Sequence, residues 1–254
     1  MIDSKFNFKA HRDSVIKKCN HKISWVLRTF KGRHVSLMRR LWRTTIQSHS
    51  DYGCLLWYPT NEIGETKRME EPLRNFSRKV SGLLSLPYAD RLKELGVSSQ
   101  ERRVERYKIL YLKKMLIGHV PDIGLVIEID TRNGFELKMI RPKCKKDSVK
   151  SLRDRSILVE GVRLFNAVPR KIREYSGSYL GFKNLIDIWL NEIPDLPRDI
   201  GNEPEARDRA GKPSNSIKDW MKSPKFVNYD DSWVPKHAET IAMDGCQIEL
   251  TDSI

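Results

Sequence analysis

Tyr88-Ala89-Asp90-Arg91 brings together the residue types in this chain that come nearest to a reaction centre. A tyrosine and two adjacent carboxylates on a tight turn can gather two Mg²⁺ ions. Such ions activate a hydroxyl nucleophile and stabilise a leaving phosphate oxygen. Here an arginine stands where the second carboxylate would be, and a lone carboxylate beside a guanidinium does not collect two divalent cations. The segment continues as Leu92-Lys93-Glu94-Leu95, a helical rather than a hairpin pattern, so a structural role is expected. Cys19 and His21 are two apart, a spacing that sends side chains to different sides of a helix. Cys19, Cys54, Cys144 and Cys246 are scattered and contain no C-x-x-C pair, which argues against a zinc ribbon. No G-x-S-x-G, P-loop or G-x-G-x-x-G occurs. No catalytic or metal-binding residue is therefore assigned, and no cofactor is expected.

Charge carries the stronger signal. The net charge is +14, and residues 1–50 hold 12 Lys+Arg against 2 Asp+Glu. Residues 191–254 reverse this, with 8 against 13. A front half this basic attracts polyanions. The candidate phosphate contacts are Lys17, Lys18 and Lys22, then Arg39, Arg40 and Arg43, then Arg102, Arg103 and Arg106, and finally Lys143, Lys145 and Lys146. Such contacts hold a duplex by its backbone and read no sequence. The alternative for each set is a solvated helix face.

These cations need elements to present them. Val15, Ile16, Cys19, Ile23, Val26, Leu27 and Phe30 mark one stripe of a helix over 12–30, with Arg12, Lys17, Lys18 and Lys22 mostly off it. Leu37, Met38, Leu41, Trp42 and Thr45 share a face of a second helix over 34–47, opposite Arg39, Arg40 and Arg43. An aromatic corner follows from Asp51 to Pro59. Met69, Leu73, Phe76, Val80 and Leu83 form a third seam, in which Pro72 requires either a start near Glu71 or a kink. Ser98 with Glu101 reads as a capping box opening a helix to about Ile117. Residues 126–130 and 135–139 read as strands around the Asn133-Gly134 turn. Helices return around Leu158, Val162 and Phe165, and again around Tyr179, Phe182, Ile186 and Trp189. Trp42, Tyr52, Trp57 and Trp189 are expected in the core. Beyond Leu190 half of the 12 prolines occur, acidic charge rises and periodicity is lost. That stretch is expected to be mostly disordered, with Trp220 and Trp233 exposed.

Several blocks occur in a fixed order: His11-Arg12-Asp13-Ser14-Val15-Ile16-Lys17-Lys18, Asp51 to Pro59, Tyr88 to Val97, Glu101-Arg102-Arg103, Leu164 to Pro169, and Ser178 to Lys183. Their order and spacing over about residues 3–190 resemble the region downstream of the polymerase palm in non-LTR (LINE, jockey-like) retrotransposon reverse transcriptases. Pro72 departs from the usual pattern. With the resemblance, the reading is a mainly α fold: a palm-edge remnant at 1–10, a thumb-like basic bundle at 11–120 and a helical module with one β-hairpin at 121–193, to which composition adds a mostly disordered acidic tail at 194–254. It implies a fragment or decayed copy of an RNA-directed DNA polymerase that binds RNA/DNA duplex without sequence preference. Mg²⁺ would belong to the missing palm, so the chain is not expected to extend a primer. The alternative is a host protein that reuses the helical module to bind proteins. No small-molecule substrate or membrane partner is expected, and with no signal-like segment the chain reads as intracellular, nuclear or cytoplasmic. Protease is expected to trim it to a core ending at Leu190–Pro197.

Overall fold

A computed structural model describes residues 8–60, 62–121, 125–130, 134–139, 156–197, 206–208 and 210–226. The protein is mainly helical. Helix α1 (Lys9–Thr29) buries Val15, Cys19, Ile23 and Val26, one residue per turn of the expected stripe. The expected second helix is broken into α2 (Val35–Leu41), a π-helical turn (Trp42–Ile46) and α3 (Gln47–Asp51). Trp42 and Ile46, four residues apart in that turn, both point inward. Trp42 meets Phe76 with ring centroids 5.2 Å apart.

A one-turn helix α4 (Cys54–Trp57) follows Gly53, which adopts a left-handed φ of 64°. The Trp57 indole donates to the Tyr52 carbonyl at 3.0 Å, which closes the aromatic corner. Trp57 is core as expected, but Tyr52 is 85% exposed. The same turn that draws Trp57 inward leaves the Tyr52 ring in solvent. Helix α5 (Ile63–Ser77) runs across Pro72, so the helix does not begin at Glu71. Tyr88 to Arg91 opens helix α6 (Tyr88–Leu95), with Tyr88 and Arg91 buried. Gly96 ends α6 with a φ of 64°, and a Cβ there would come within 2.9 Å of the Arg39 guanidinium. Both the backbone angle and the close approach select glycine.

Helix α7 (Gln100–Leu116) is the spine. Its cap is Ser99 rather than Ser98: the Ser99 hydroxyl accepts from the Arg102 amide at 3.2 Å. Val104 packs with the apolar residues of α1 to α6, whereas Ile109, Leu110, Leu112 and Met115 belong to a second core. The division between the two cores thus falls inside α7, not near residue 120. Strands β1 (Leu125–Asp130) and β2 (Gly134–Met139) pair antiparallel, with Leu125 opposite Met139 and Asp130 opposite Gly134. The turn between them lies outside the described residues. Helices α8 (Ile157–Asn166), α9 (Arg170–Arg173) and α10 (Tyr179–Glu192) complete the second core. Ser156 and Ser178 cap α8 and α10, each accepting from the amide three residues on.

The expectation of a disordered segment after residue 193 is corrected for residues 194–197, 206–208 and 210–226, which are folded against the rest of the protein. Ala206, Ile217, Trp220 and Phe226 join the second core, and Trp220 is fully buried rather than exposed. Ile217–Trp220 forms the short helix α11. Polar latches hold the segment as well. Asp195 accepts from the Ser99 amide and hydroxyl at 2.8 and 2.7 Å, and Asn215 donates to Asp195 at 2.9 Å. Local sequence suggested disorder because the apolar residues are few and widely spaced. They suffice because α7, α8 and α10 already provide the surface that receives them. Trp233 and the other residues after 226 lie outside the described residues.

Glu105 adds a pH dependence to this docking. Its carboxylate accepts from the Ser216 hydroxyl at 2.5 Å and from the Ile217 amide at 3.0 Å. Burial pushes its pKa up to about 7, against the pull of Arg102 and these two hydrogen bonds. A carboxyl whose folded-state value is raised makes the folded state bind its proton more tightly than the unfolded chain does. Glu105 therefore contributes most stability below the ordinary value of 4.5 and loses it as pH rises toward about 7. The urea midpoint should fall over that interval, and Glu105→Gln should flatten the fall. An identical pH profile in the variant would assign the effect elsewhere.

Candidate nucleic-acid interface

The sequence nominates four groups of cations, and the fold separates them. From Ser14 to Ser50 the chain has nine Lys and Arg residues and no Asp or Glu. Lys17 and Lys18 are exposed on α1, Lys17 opposite the buried stripe and Lys18 on its flank. Lys22 is half-buried, with its ammonium 5.9 Å from the Trp25 ring centroid. Arg40 is exposed on α2 and makes no side-chain hydrogen bond or ion pair among the described residues. These groups remain available to a polyanion.

Arg39 and Arg43 have a second occupation. Arg39 donates from Nε to the Leu95 carbonyl at 2.5 Å and from Nη2 to the Glu94 carbonyl at 3.2 Å. Arg43 Nη2 donates to the Gly96 carbonyl at 2.6 Å. Carbonyls at a helix C-terminus lack intrahelical partners and carry partial negative charge, so cations settle there. Both arginines fasten α2 and the π-turn to the end of α6. Arg43 is still exposed.

The third group is corrected. Arg102 and Arg103 are buried on α7 and cannot reach a duplex. Arg102 Nη2 donates to the Pro194 carbonyl at 2.7 Å and the Asn215 carbonyl at 3.2 Å. Arg103 Nε pairs with Asp51 at 3.2 Å, Nη1 donates to the Ser98 carbonyl, and Nη2 donates to Gln100 Oε1. Arg106 makes a two-pronged pair with Asp187 on α10, its Nη2 donating to Oδ2 at 2.8 Å. The physical reason is the position of α7 between two cores: every face of that helix meets protein. Lys143, Lys145 and Lys146 lie outside the described residues.

Arg103 belongs to a network that the sequence reading missed. Asp51 also accepts from the Tyr107 hydroxyl at 2.7 Å and the Gln47 amide at 2.9 Å. Glu70 on α5 accepts from the Tyr88 hydroxyl at 2.5 Å and from the Gln100 amide at 2.7 Å. Burial raises the Glu70 carboxyl above its usual range, opposed by Tyr88, Arg103 and the Gln100 amide. Arg12, expected off the apolar stripe of α1, is also buried and bonded to Glu62 and Glu65. These are internal ties between helices, not chemistry offered to a substrate.

Two other features bear on function. Cys19 and Cys54 are buried free thiols, with burial pushing them up to about 11 and about 12. Neither is a reactive nucleophile. A cleft of about 750 Å³ is lined by Lys108, Arg163 and Lys218 but also by Glu101, Glu105 and Glu160. Its mixed charge does not select an anion. Among the described residues no helix is long and apolar enough to cross a membrane.

No protein-family profile matches the chain, and no solved structure matches it. The chain is similar to an uncharacterized protein of Caenorhabditis elegans, 30% identical over 132 residues. The aligned segment covers 48% of this chain and 64% of that protein, so the chain spans less than two thirds of the relative it matches.

Proposed function

We propose that this chain is a thumb-like and downstream region of a non-LTR retrotransposon reverse transcriptase, or a decayed copy of one, that holds RNA/DNA duplex by its phosphate backbone. The observation that carries the reading is the carboxylate-free run from Ser14 to Ser50, with Lys17, Lys18 and Arg40 at the surface. Its packing into a helical bundle suits a part that grips a duplex without reading bases. The order of the sequence blocks supports the same origin, and the assignment of a thumb-like bundle followed by a hairpin-bearing helical module belongs to this proposal. The parent activity is RNA-directed DNA polymerisation, a nucleotidyl transfer whose Mg²⁺-binding carboxylates would reside in the palm. Asp90, on a helix beside buried Arg91, is not such a site.

A filter-binding titration tests the reading. Affinity for any duplex should fall by orders of magnitude between about 50 and about 200 mM salt if roughly six phosphates are neutralised. The triple change Lys17→Ala, Lys18→Ala, Arg40→Ala should weaken binding to all sequences alike and lower the log–log salt slope by about 3. Binding that ignores salt would end the nucleic-acid reading. A protein-interaction module is then the reading that remains. Tyr52 and Leu56, 85% and 64% exposed and four residues apart around α4, favour it.

A further inference from the structure

We propose that Trp25 is a stacking platform for an unpaired base, set among cations that take the neighbouring phosphates. The proposal rests on the nucleic-acid reading above and deepens it. It makes the α1 surface a site for single-stranded or splayed nucleic acid rather than for duplex backbone alone.

Trp25 is 43% exposed on α1, although the large side chains of the buried stripe on the same helix are removed from solvent. At about 100° per residue, Lys18, His21, Lys22 and Arg28 all fall within about 60° of Trp25 around the helix axis. Lys18, His21 and Arg28 are exposed, and Lys22 is half-buried. The Lys22 ammonium stands 5.9 Å from the indole centroid. The edge-on contact with Phe30, 6.1 Å between centroids at 83°, fixes the ring from the protein side. A positioned indole amid cations, on a helix with no carboxylate after Asp13, is complementary to an aromatic base joined to phosphates. From Lys18 to Arg28 the helix rises about 15 Å, long enough for these cations to meet more than one phosphate of a bound strand.

Two other partners fit less well. A protein partner would need contiguous apolar area, whereas Trp25 has Phe30 beside it and otherwise shares this face with cations, His21, Ser14 and Thr29. A membrane surface would need the apolar face of an amphipathic helix. That face of α1, Val15, Cys19, Ile23 and Val26, is already buried in the core.

The test uses the full chain and four probes. These are an oligothymidylate, an abasic oligomer of the same length, a blunt duplex, and vesicles of phosphatidylcholine with phosphatidylserine. The oligothymidylate should bind about tenfold more tightly than the abasic oligomer, the usual worth of a stacked base. Trp25→Ala should erase that difference while leaving abasic and duplex affinities unchanged, and Trp25→Phe should keep part of it. If the abasic oligomer binds as tightly as oligothymidylate, stacking is wrong and the backbone reading survives. If Trp25→Ala weakens every nucleic acid equally, Trp25 is a structural residue and the proposal is overturned. If only the vesicles bind, both the stacking proposal and the nucleic-acid reading fail.

Discussion

Trp220→Ala is expected to destabilise the protein by about 3–5 kcal/mol, the usual cost of emptying a large buried aromatic site. The expectation follows from the docking of the C-terminal segment. Trp220 is fully buried, its ring meets Phe226 edge-on at 6.4 Å, and it shares a core with Leu164, Phe165 and Trp189. Truncation after Pro197 should do more harm than the point change. It removes Ala206, Ile217, Trp220 and Phe226 from that core and takes Ser216 and the Ile217 amide away from buried Glu105. Arg102 would lose the Asn215 carbonyl as well. Buried charged groups deprived of their partners carry the full cost of desolvation. Limited proteolysis should therefore leave a resistant fragment that extends through residue 226, and urea midpoints should rank wild type, then Trp220→Ala, then the truncated chain. A stable fragment ending at Leu190–Pro197 with the wild-type midpoint would sink this account and restore the reading of the segment as a tail.

The contrast between Trp220 and the earlier helices shows what could be read in the sequence. Apolar periodicity located α1, α5, α7, α8 and α10, because each carries an apolar stripe over at least ten residues that leaves a repeat of three and four. Helix α11 has four residues, too few for any repeat. Its signal was the apolar side chains themselves, Ile217, Trp220 and Phe226, in a stretch otherwise poor in them. Charge was harder to read. A cation on a helix face is the same letter whether it meets water, a carbonyl or a carboxylate fifty residues away. Arg103 finds Asp51, Arg106 finds Asp187, and Arg39 finds the end of α6. None of these pairs is local, so the exposure of Lys17, Lys18 and Arg40 was legible in the sequence but the burial of the α7 arginines was not. The clue available was that Arg102 and Arg103 sit in the first turn of a helix, where a cation is disfavoured unless something else holds it. The cap was off by one residue for a simpler reason: Ser98 and Ser99 are adjacent and chemically identical.

Arg103→Ala should separate fold from site most cleanly. Removing one partner of a buried ion pair typically costs about 3–5 kcal/mol, because the other charge stays buried and unpaired. Here the stranded group is Asp51, whose side chain is 13% exposed, and Gln100 and the Ser98 carbonyl lose donors in the same step. Through Gln100 the damage reaches Glu70 and hence Tyr88, so the junction of α3, α5, α6 and α7 loosens together. Asp51→Asn combined with Arg103→Gln should recover part of the loss, since neutral partners leave no unpaired charge. Arg40→Ala, by contrast, should leave the urea midpoint within about 0.5 kcal/mol of wild type, as expected of an exposed residue, and weaken duplex binding. Arg103→Ala should show the opposite pattern, with a large loss of stability and unchanged affinity per folded molecule. An Arg103→Ala protein that is fully stable but binds duplex poorly would mean that Arg103 faces the phosphates, and the division between the α1–α2 surface and the α7 interior would have to be redrawn.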